Sequence, residues 1–535
     1  MTSTVRIGMS TCGRAAGAAE AHAALKHGIY DGGLPLRLQR TGCLGACHRE
    51  PLVEVVDGTR STLYGPIDAE RAPVLLDHLS GGGPVPEEWV VSRAADRSDY
   101  PFLGRQEKVT TQLCGVIDPH SLDAYLAHGG YQALRQALTS SPEQVVEAIK
   151  ASRLRGRGGA GFPTGLKWEL TRAQADRPTY LICNADEGDP GAFMDRTLIE
   201  GDPHRVLEGM LIAAWATGAS GAYLYVRAEY PLAVAALEEA IEQAREHGAV
   251  GDDVFGSGMS FDFVIKEGAG AFVCGEETAL MRSIEGYRGM PTMRPPYPSE
   301  TGLWGHSTNI NNVETFASVP SILLEGPDWF AGMGTEHSGG TKAFALAGAV
   351  ERSGLVEVAI GMPLREMVHE IGGGCREGRE FKAVQLGGPS GGCIPAALLD
   401  TRIDYEDLRE TGAIMGSGGM IVADESTCMV DLAHYFLAFT QDESCGKCIP
   451  CRVGTRKMLG ILAAATEGRA VAADLEQLER LSETVGATSL CGLGQTAPNP
   501  VRTTIRYFPE EYASHMEEGR CPAGVCPMGG EGEAE

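Results

Sequence analysis

Three thiols stand two residues apart in Cys445-Gly446-Lys447-Cys448-Ile449-Pro450-Cys451, and a fourth follows at Cys491 in Ser489-Leu490-Cys491-Gly492. C-x2-C-x2-C with a remote cysteine suits the four corners of an iron–sulfur cubane. Zinc also takes four thiolates, but normally as two separated pairs. The spacing therefore points to a [4Fe–4S] cluster, with Lys447 and Arg452 beside the thiolates to offset their charge. A second chemical stretch is Arg155-Gly156-Arg157-Gly158-Gly159-Ala160-Gly161-Phe162-Pro163-Thr164-Gly165-Leu166-Lys167-Trp168. Its glycines let the backbone approach a ligand closely, and successive N–H groups in such a loop can hold phosphate. Arg155, Arg157 and Lys167 add positive charge; Phe162 and Trp168 add flat apolar faces. The combination suggests a phosphorylated aromatic cofactor. A flexible linker is the other reading, but linkers rarely carry Phe, Trp and Lys between their glycines.

These stretches need rigid elements to aim them. Gly156-x-Gly158-x-x-Gly161 has the dinucleotide fingerprint, yet that fingerprint should follow a strand. Here it follows a helix, started by the capping box Ser141-Pro142-Glu143-Gln144 and carrying Val145, Val146 and Ile149 at helical spacing. Strands are expected at Thr179–Cys183, Tyr223–Val226 and Phe263–Ile265. Between them, Asp202 caps a helix opened by Pro203, and another helix runs from Pro231 to Gly248. Alternating strands and helices imply a mostly parallel sheet with ligands at the strands' carboxyl ends. Polar loops sit at those ends: Asn184-Ala185-Asp186-Glu187-Gly188-Asp189, Cys274-Gly275-Glu276-Glu277-Thr278 and Asn309-Ile310-Asn311-Asn312-Val313-Glu314-Thr315. Their acidic groups suit ribose hydroxyls and a flavin's polar edge. Glu276 and Glu277 equally suit helix capping.

Composition sets the frame. The chain has 535 residues, a net charge of −26 and 43% hydrophobic content. That length fits several domains, and the charge argues against nucleic acid and anionic membranes. No apolar run is long enough to span a bilayer, so no membrane insertion is expected. Met1-Thr2-Ser3-Thr4-Val5-Arg6 lacks a signal-peptide pattern, and a cytoplasmic location is expected. In that reducing compartment fifteen cysteines are no disulfide framework.

Residues 1–80 read as a small α/β unit with strands near Val5–Met9, Leu34–Leu38 and Leu52–Val56. Cys12, Cys43 and Cys47 give it the layout of a thioredoxin-like [2Fe–2S] ferredoxin domain, which it resembles. That family's first pair is C-x4-C, and position 17 here is Gly17. With three thiols of four, the expectation is a docking domain without a cluster. Residues 81–109 read as a linker. From 329 to 425, strands at Lys342–Leu346, Gly354–Ala359 and Val384–Leu386 with a helix from Pro363 suggest a β-grasp unit. Cys375, Cys393 and Cys428 are read as ordinary thiols. The part from 426 to 515 is helical around the cluster cysteines. In the tail, 516–535, Cys521 and Cys526 cannot complete a cluster alone; they read as part of a docking tail, with metal shared with a partner's ligands as the alternative. The Glu-rich end is expected to be disordered.

From about 110 to 515 the glycine loop, the Asn184 loop, the Cys274-Gly275-Glu276-Glu277 phrase and Ile310-Asn311-Asn312-Val313-Glu314-Thr315 resemble the flavin subunit of respiratory complex I and its soluble diaphorase relatives. The resemblance implies a Rossmann-like domain at 110–328 holding FMN and NAD(H) in one cavity. It implies FMN contacts for Gly156, Arg157, Gly158, Gly159, Lys167, Asn184, Asp186, Gly275, Glu276, Asn311, Asn312 and Thr315, with Ile310 in the same phrase. It implies stacking of Phe162 on adenine, and Glu187 and Glu277 lining the cavity. Arg294 and Tyr297 stand where the family often has Lys and Phe; Phe272 replaces a tyrosine and Asp189 a glutamate.

The implied chemistry is hydride exchange between NAD(H) and FMN, with single electrons relayed through the Cys445, Cys448, Cys451 and Cys491 cluster. No acid–base dyad is required. The short N-terminal unit and the Arg520–Cys526 tail resemble the β subunit of a soluble NAD-dependent formate dehydrogenase. That implies a molybdenum-containing catalytic subunit and a small [2Fe–2S] thioredoxin-like subunit as partners. A NAD-reducing hydrogenase and an NADH:quinone oxidoreductase are the alternatives. A scaffold that no longer binds NAD is the reading from another class, resting on Asp189, Phe272 and Gly17.

Overall fold

The computed structural model describes residues 3–174 and 178–528. The Glu-rich end expected to be disordered, 529–535, lies outside the described residues. The described part is a multidomain α/β chain with three sheets and a helical C-terminal part.

The first sheet comprises β1 (Ser3–Gly8), β2 (Leu36–Thr41), β3 (Val53–Asp57), β4 (Arg60–Tyr64) and β5 (Val90–Ser92), in the order β2-β1-β3-β4-β5. β1 and β2 are parallel; the other pairs are antiparallel. Val5 and Ile7 point inward with period two and meet Leu25, Ile29, Leu75 and Leu76 of two helices. The stretch 81–109 is not a free linker. It supplies β5 and then buries Phe102 and Leu103 in the core of the third sheet. Short apolar anchors among Gly and Pro made it read as a connection.

The second sheet is parallel: β6 (Tyr180–Ala185), β7 (Gly221–Arg227), β8 (Phe263–Gly268) and β9 (Thr308–Asn312), ordered β8-β7-β6-β9. Helix Pro203–Thr217 is buried along nearly its whole length, and Asp202 caps it by accepting from the Arg205 N–H. The capping box at Ser141 is complete on both sides. The sequence made Asn309–Asn312 a loop; it is strand β9. Its buried asparagines hide the usual Val/Ile signature because they bond sideways, Asn309 to Thr171 and Asn311 to Trp168.

The third sheet, β-grasp-like, holds β10 (Thr341–Gly348), β11 (Gly354–Ala359), β12 (Phe381–Leu386), β13 (Gly392–Pro395) and β14 (Gly419–Asp424), ordered β11-β10-β14-β12-β13. β10 and β14 are parallel and the remaining pairs antiparallel. Helices Met429–Asp442, Arg456–Thr466, Ala472–Thr488, Asn499–Tyr507 and Pro509–Met516 complete the chain.

Buried polar clasps join the units. Lys342 Nζ on β10 donates to Glu314 at the start of helix Val313–Glu325 at 2.5 Å, and both side chains are inaccessible. The Glu357 carboxylate on β11 accepts from the N–H groups of Val109, Thr110 and Thr111. Thr11 donates through both N–H and hydroxyl to Glu200.

Candidate functional site

A cavity of about 400 Å³ opens at the carboxyl ends of β6 and β9. That is within the range of small-molecule sites, about 300–1,000 Å³. One wall comes from four stretches: Gly158 and Gly159; Asn184, Asp186 and Glu187; Phe272, Gly275 and Glu276; and Asn312. The opposite wall was not foreseen from the sequence. It is built by Gly387, Ser390, Tyr405, Arg409 and residues 414–417 of the β-grasp unit, with Gly492, Leu493 and Thr496 beyond them. The glycine-rich turns at 387–392 and 416–419 were the available signal.

The glycine loop is shaped by that wall. Gly159 has φ +119, and a Cβ there would meet the Gly416 backbone at 2.9 Å. Gly161, at φ +64, lies against the Tyr405 ring, whose hydroxyl donates to the Gly156 carbonyl at 2.9 Å. Arg157 is wholly buried and does not line the cavity. Its N–H donates to Thr315 Oγ1, and its guanidinium donates to the carbonyls of Arg155 and Gly339. Trp168, read as a face for a ligand, is fully buried and donates to Asn311. Lys167 pairs with Glu277 and donates to the Ile310 carbonyl at 2.6 Å. Burial raises the Glu277 carboxyl, but Lys167 and Arg294 outweigh it and hold it below its ordinary value. Phe162, Tyr297 and Arg294 are exposed, 45%, 54% and 38%, and do not line the cavity.

The acidic loops have definite partners. Asn184 donates to the Gly275 carbonyl and accepts from the Asp186 N–H, which ties two loops together. Glu187 accepts from the N–H groups of Asp195 and Arg196 at the start of helix Met194–Gly201. Glu276 caps helix Glu277–Ile284 through Thr278 and Ala279, so its capping role and its place in the cavity coexist. Phe272 packs edge-on to Phe439. Asn312 donates to Asp195 Oδ2 at 2.5 Å. Asp189 accepts from Ser417 across the cavity.

Asp186 carries the fit to a flavin. Both its carboxylate oxygens are buried without a partner, and burial pushes its pKa up to about 7. Burial likewise raises Asp189 to about 6. An orphaned carboxyl beside a glycine cradle matches the donors of a flavin's polar edge or ribityl chain.

The four predicted cluster thiols line one pocket with Val273, Pro291, Ser444, Lys447, Leu490 and Leu493. Cys451 lies in the π-helical turn Pro450–Thr455, next to the Ser444 hydroxyl at 3.2 Å. Cys491 precedes helix Gly492–Thr496; burial pushes its thiol up to about 11, and the facing N–H groups of Gly494 and Leu493 offset this only in part. Lys447 and Arg452 bind the carbonyls of Pro291 and Gly446. A soft, all-thiol donor set in an apolar pocket fits an iron–sulfur cluster.

In the N-terminal unit, Cys12 hydrogen-bonds Cys47, which holds the Cys12 thiol at about 7, and Cys43 donates to Glu50 at 3.3 Å. Gly17 starts a helix at φ +100. The tail corrects another expectation. Cys428 is no scattered thiol: it joins His515, Cys521 and Cys526 with all ligand atoms within 4.8 Å of one another. The signal was invisible because Cys428 lies 87 residues from His515. No helix among the described residues is long and apolar enough to cross a membrane.

Comparison with known proteins agrees with this anatomy. The Nuo51 FMN-binding domain model matches residues 149–321, and the NADH-ubiquinone oxidoreductase-F iron–sulfur binding region matches 431–515. The chain is 54% identical over 422 residues to the NADP-reducing hydrogenase subunit HndC of Solidesulfovibrio fructosivorans, covering 79% of this chain and 86% of that one. It is 46% identical to the F 2 subunit of the NADH-quinone oxidoreductase of Rhizobium meliloti, covering 78% and 99%. A solved NAD⁺-reducing [NiFe]-hydrogenase superposes with a TM-score of 0.69 at 32% identity, over 98% of this chain and 86% of that one. A glycine-cradled cavity with an unpartnered carboxyl, a neighbouring four-thiol pocket and matches of this extent place the chain in the family of complex I-type 51 kDa flavin subunits, with an FMN-binding domain and a [4Fe–4S] region.

Proposed function

We propose that the chain is a diaphorase subunit that exchanges a hydride between NAD(H) and FMN and passes electrons through the Cys445, Cys448, Cys451 and Cys491 cluster to or from partner subunits. The observation that carries this reading is the shared wall: Val273 and Leu493 border both the acidic cavity and the thiol pocket. When bound, FMN supplies two-electron hydride exchange and the cluster supplies one-electron transfer. The chain's residues bind and orient. Gly158, Gly159 and Asn312 cradle the flavin, while Asp186 and Glu276 meet its polar groups. Gly156, Arg157, Lys167, Ile310, Asn311 and Thr315 support the cradle. Phe162, Glu187, Phe272, Glu277, Arg294 and Tyr297 form the dinucleotide side. The β-grasp wall limits water access.

Anaerobic titration with NADH tests this. A flavin band that bleaches near stoichiometric NADH supports the reading; a flavin that stays oxidised in excess NADH, in folded protein, overturns it.

For the terminal partner, two readings stand on different observations. The Arg520–Cys526 tail, through the resemblance it carries, favours a NAD-dependent formate dehydrogenase, with a molybdenum-containing subunit and a small [2Fe–2S] subunit. The likeness to HndC and to the NAD⁺-reducing hydrogenase favours a hydrogenase. Co-purification decides: a molybdopterin subunit supports the first, a hydrogenase catalytic subunit the second.

A further inference from the structure

We propose that Cys12 and Cys47 are a reversible dithiol–disulfide pair, oxidised by small organic disulfides, whose bond staples the N-terminal unit between the two units that wall the flavin cavity. β1 and β2 are parallel neighbours, with Gly8 opposite Thr41, so both strands leave the sheet at the same edge. Cys12 lies just past one exit, and Cys43 and Cys47 lie past the other. The Cys47 thiol is in hydrogen-bond contact with both Cys12 and Cys43. Cys43 is held further by the Gly45 N–H at 3.2 Å and by its own bond to Glu50. Gly13 lets the Cys12 turn fold back on the strand, because a Cβ there would lie 2.6 Å from the Gly8 carbonyl oxygen. Gly17, at the remaining position of the ferredoxin layout, supplies no thiol.

Each thiol of the pair stands in a turn anchored to a different unit. On one side, Thr11 donates through N–H and hydroxyl to Glu200 of helix Met194–Gly201, and Cys12 Sγ lies 3.6 Å from Arg196 Nη2 of the same helix. That helix also holds the cavity: its Asp195 and Arg196 N–H groups bind Glu187, and the Asp195 carboxylate accepts from Asn312. On the other side, the Gly45 carbonyl accepts from the Leu355 N–H of β11 at 2.8 Å, and His48 bonds to the Ser353 carbonyl through its N–H and its Nδ1. A Cβ at Gly45 would sit 2.5 Å from the Leu355 carbonyl oxygen, so the two backbones touch. A Cys12–Cys47 bond therefore ties a contact with the flavin domain to a contact with the β-grasp unit.

The three thiols differ in readiness. The hydrogen bond from Cys47 lowers Cys12, and Arg196 adds to it against the effect of burial. Cys47 is raised by its bonds to Cys12 and Cys43; Cys43 stays raised although Cys47 bonds to it, because it is buried beside Glu50. Cys12 and Cys47 are half-buried. An ionisable, partly accessible thiol beside a resolving thiol is the arrangement of a redox sensor. The Cys12 thiolate attacks one sulfur of the small disulfide and releases a thiolate. Cys47 then loses its proton, attacks Cys12 Sγ and expels the second thiolate. The pair gives up two electrons and two protons, and the small disulfide becomes two thiols. An external dithiol reverses the exchange.

The test uses the full chain purified with its iron and flavin, equilibrated anaerobically with oxidised and reduced glutathione. Peptide mapping after thiol blocking should find a Cys12–Cys47 disulfide that a dithiol removes. Cys47→Ser should stop at a glutathione adduct on Cys12, and Cys12→Ser should leave Cys47 unmodified. Serine keeps the size and the hydrogen bond of each thiol, so both variants should hold full iron and flavin. In the oxidised wild type, amide exchange in 194–201 and 353–357 should slow, and FMN release should slow at least about fivefold. The same treatment of Cys12→Ser should change neither. None of these readouts uses NADH, so they stand or fall apart from the hydride reading. The proposal is overturned by a Cys43–Cys47 bond, by a [2Fe–2S] centre that Cys12→Ser removes, by thiols that stay reduced at every glutathione ratio, or by a Cys12–Cys47 bond that leaves exchange and FMN release unchanged.

Discussion

Val273 and Leu493 each face two cavities, the acidic one closed by the glycine loop and the one lined by the four cluster thiols. Val273 belongs to the short turn Phe272–Gly275 and Leu493 to helix Gly492–Thr496, 220 residues later in the chain. Both sit in one apolar cluster with Cys451 and Cys491. Val273 and Leu493 thus stand between the two cavities.

Cys448→Ala should remove onward transfer to background and leave flavin reduction by NADH. Stopped-flow flavin bleaching with and without an external one-electron acceptor at the cluster separates the two steps. Loss of neither would sink the cluster assignment.

Asp186→Asn should stabilise the flavin-free chain at pH 8, less so at pH 5, and leave it unchanged near pH 3. Burial raises this carboxyl from 3.8 to about 7, so folding takes up a proton. Stability therefore falls as pH rises through that window. Asn removes the loss, which should raise the melting midpoint at pH 8 by about 2 °C or more. At pH 5 the unfolded carboxyl is ionised while the native one is neutral, so part of the gain remains; it vanishes only near pH 3, where both are protonated.

Lys342→Met should cost about 3–5 kcal/mol, because it leaves Glu314 charged and buried between the second and third sheets. The double variant with Glu314→Gln should recover most of that. Urea unfolding of the single and double variants measures the coupling. Equal losses in the two would remove the ion pair from the account.

Gly159→Ala should empty the flavin site while iron content stays full. The substitution meets the Gly416 backbone at a φ that side chains rarely adopt. Flavin and iron analysis of the same preparation checks it.

Phe162→Ala should raise KM for NADH roughly tenfold and leave kcat and flavin content unchanged, as expected for loss of a stacking contact of about 1–3 kcal/mol. Steady-state kinetics with an artificial acceptor reads this directly.

Local chemistry was legible in the sequence. The cysteine spacing around Cys448, the glycine loop, the capping box at Ser141 and the parallel strands β6–β8 each depend on neighbours within a few residues, so residue type and period reveal them. Tertiary structure decided the rest. β9 was hidden because its asparagines bond across to Trp168 and Thr171 rather than filling a core. The cavity's far wall at Tyr405 and Gly416 comes from another unit, and only packing brings it to Gly159 and Gly161. Arg157 looked like a cofactor's counter-charge, yet its partners are carbonyls contributed by the folded chain. Cys428 meets His515, Cys521 and Cys526 only after helix Pro509–Met516 folds back against helix Met429–Asp442. Ligand sets within one turn are written in the order of residues; ligand sets assembled from distant segments exist only once buried apolar surface has drawn those segments together.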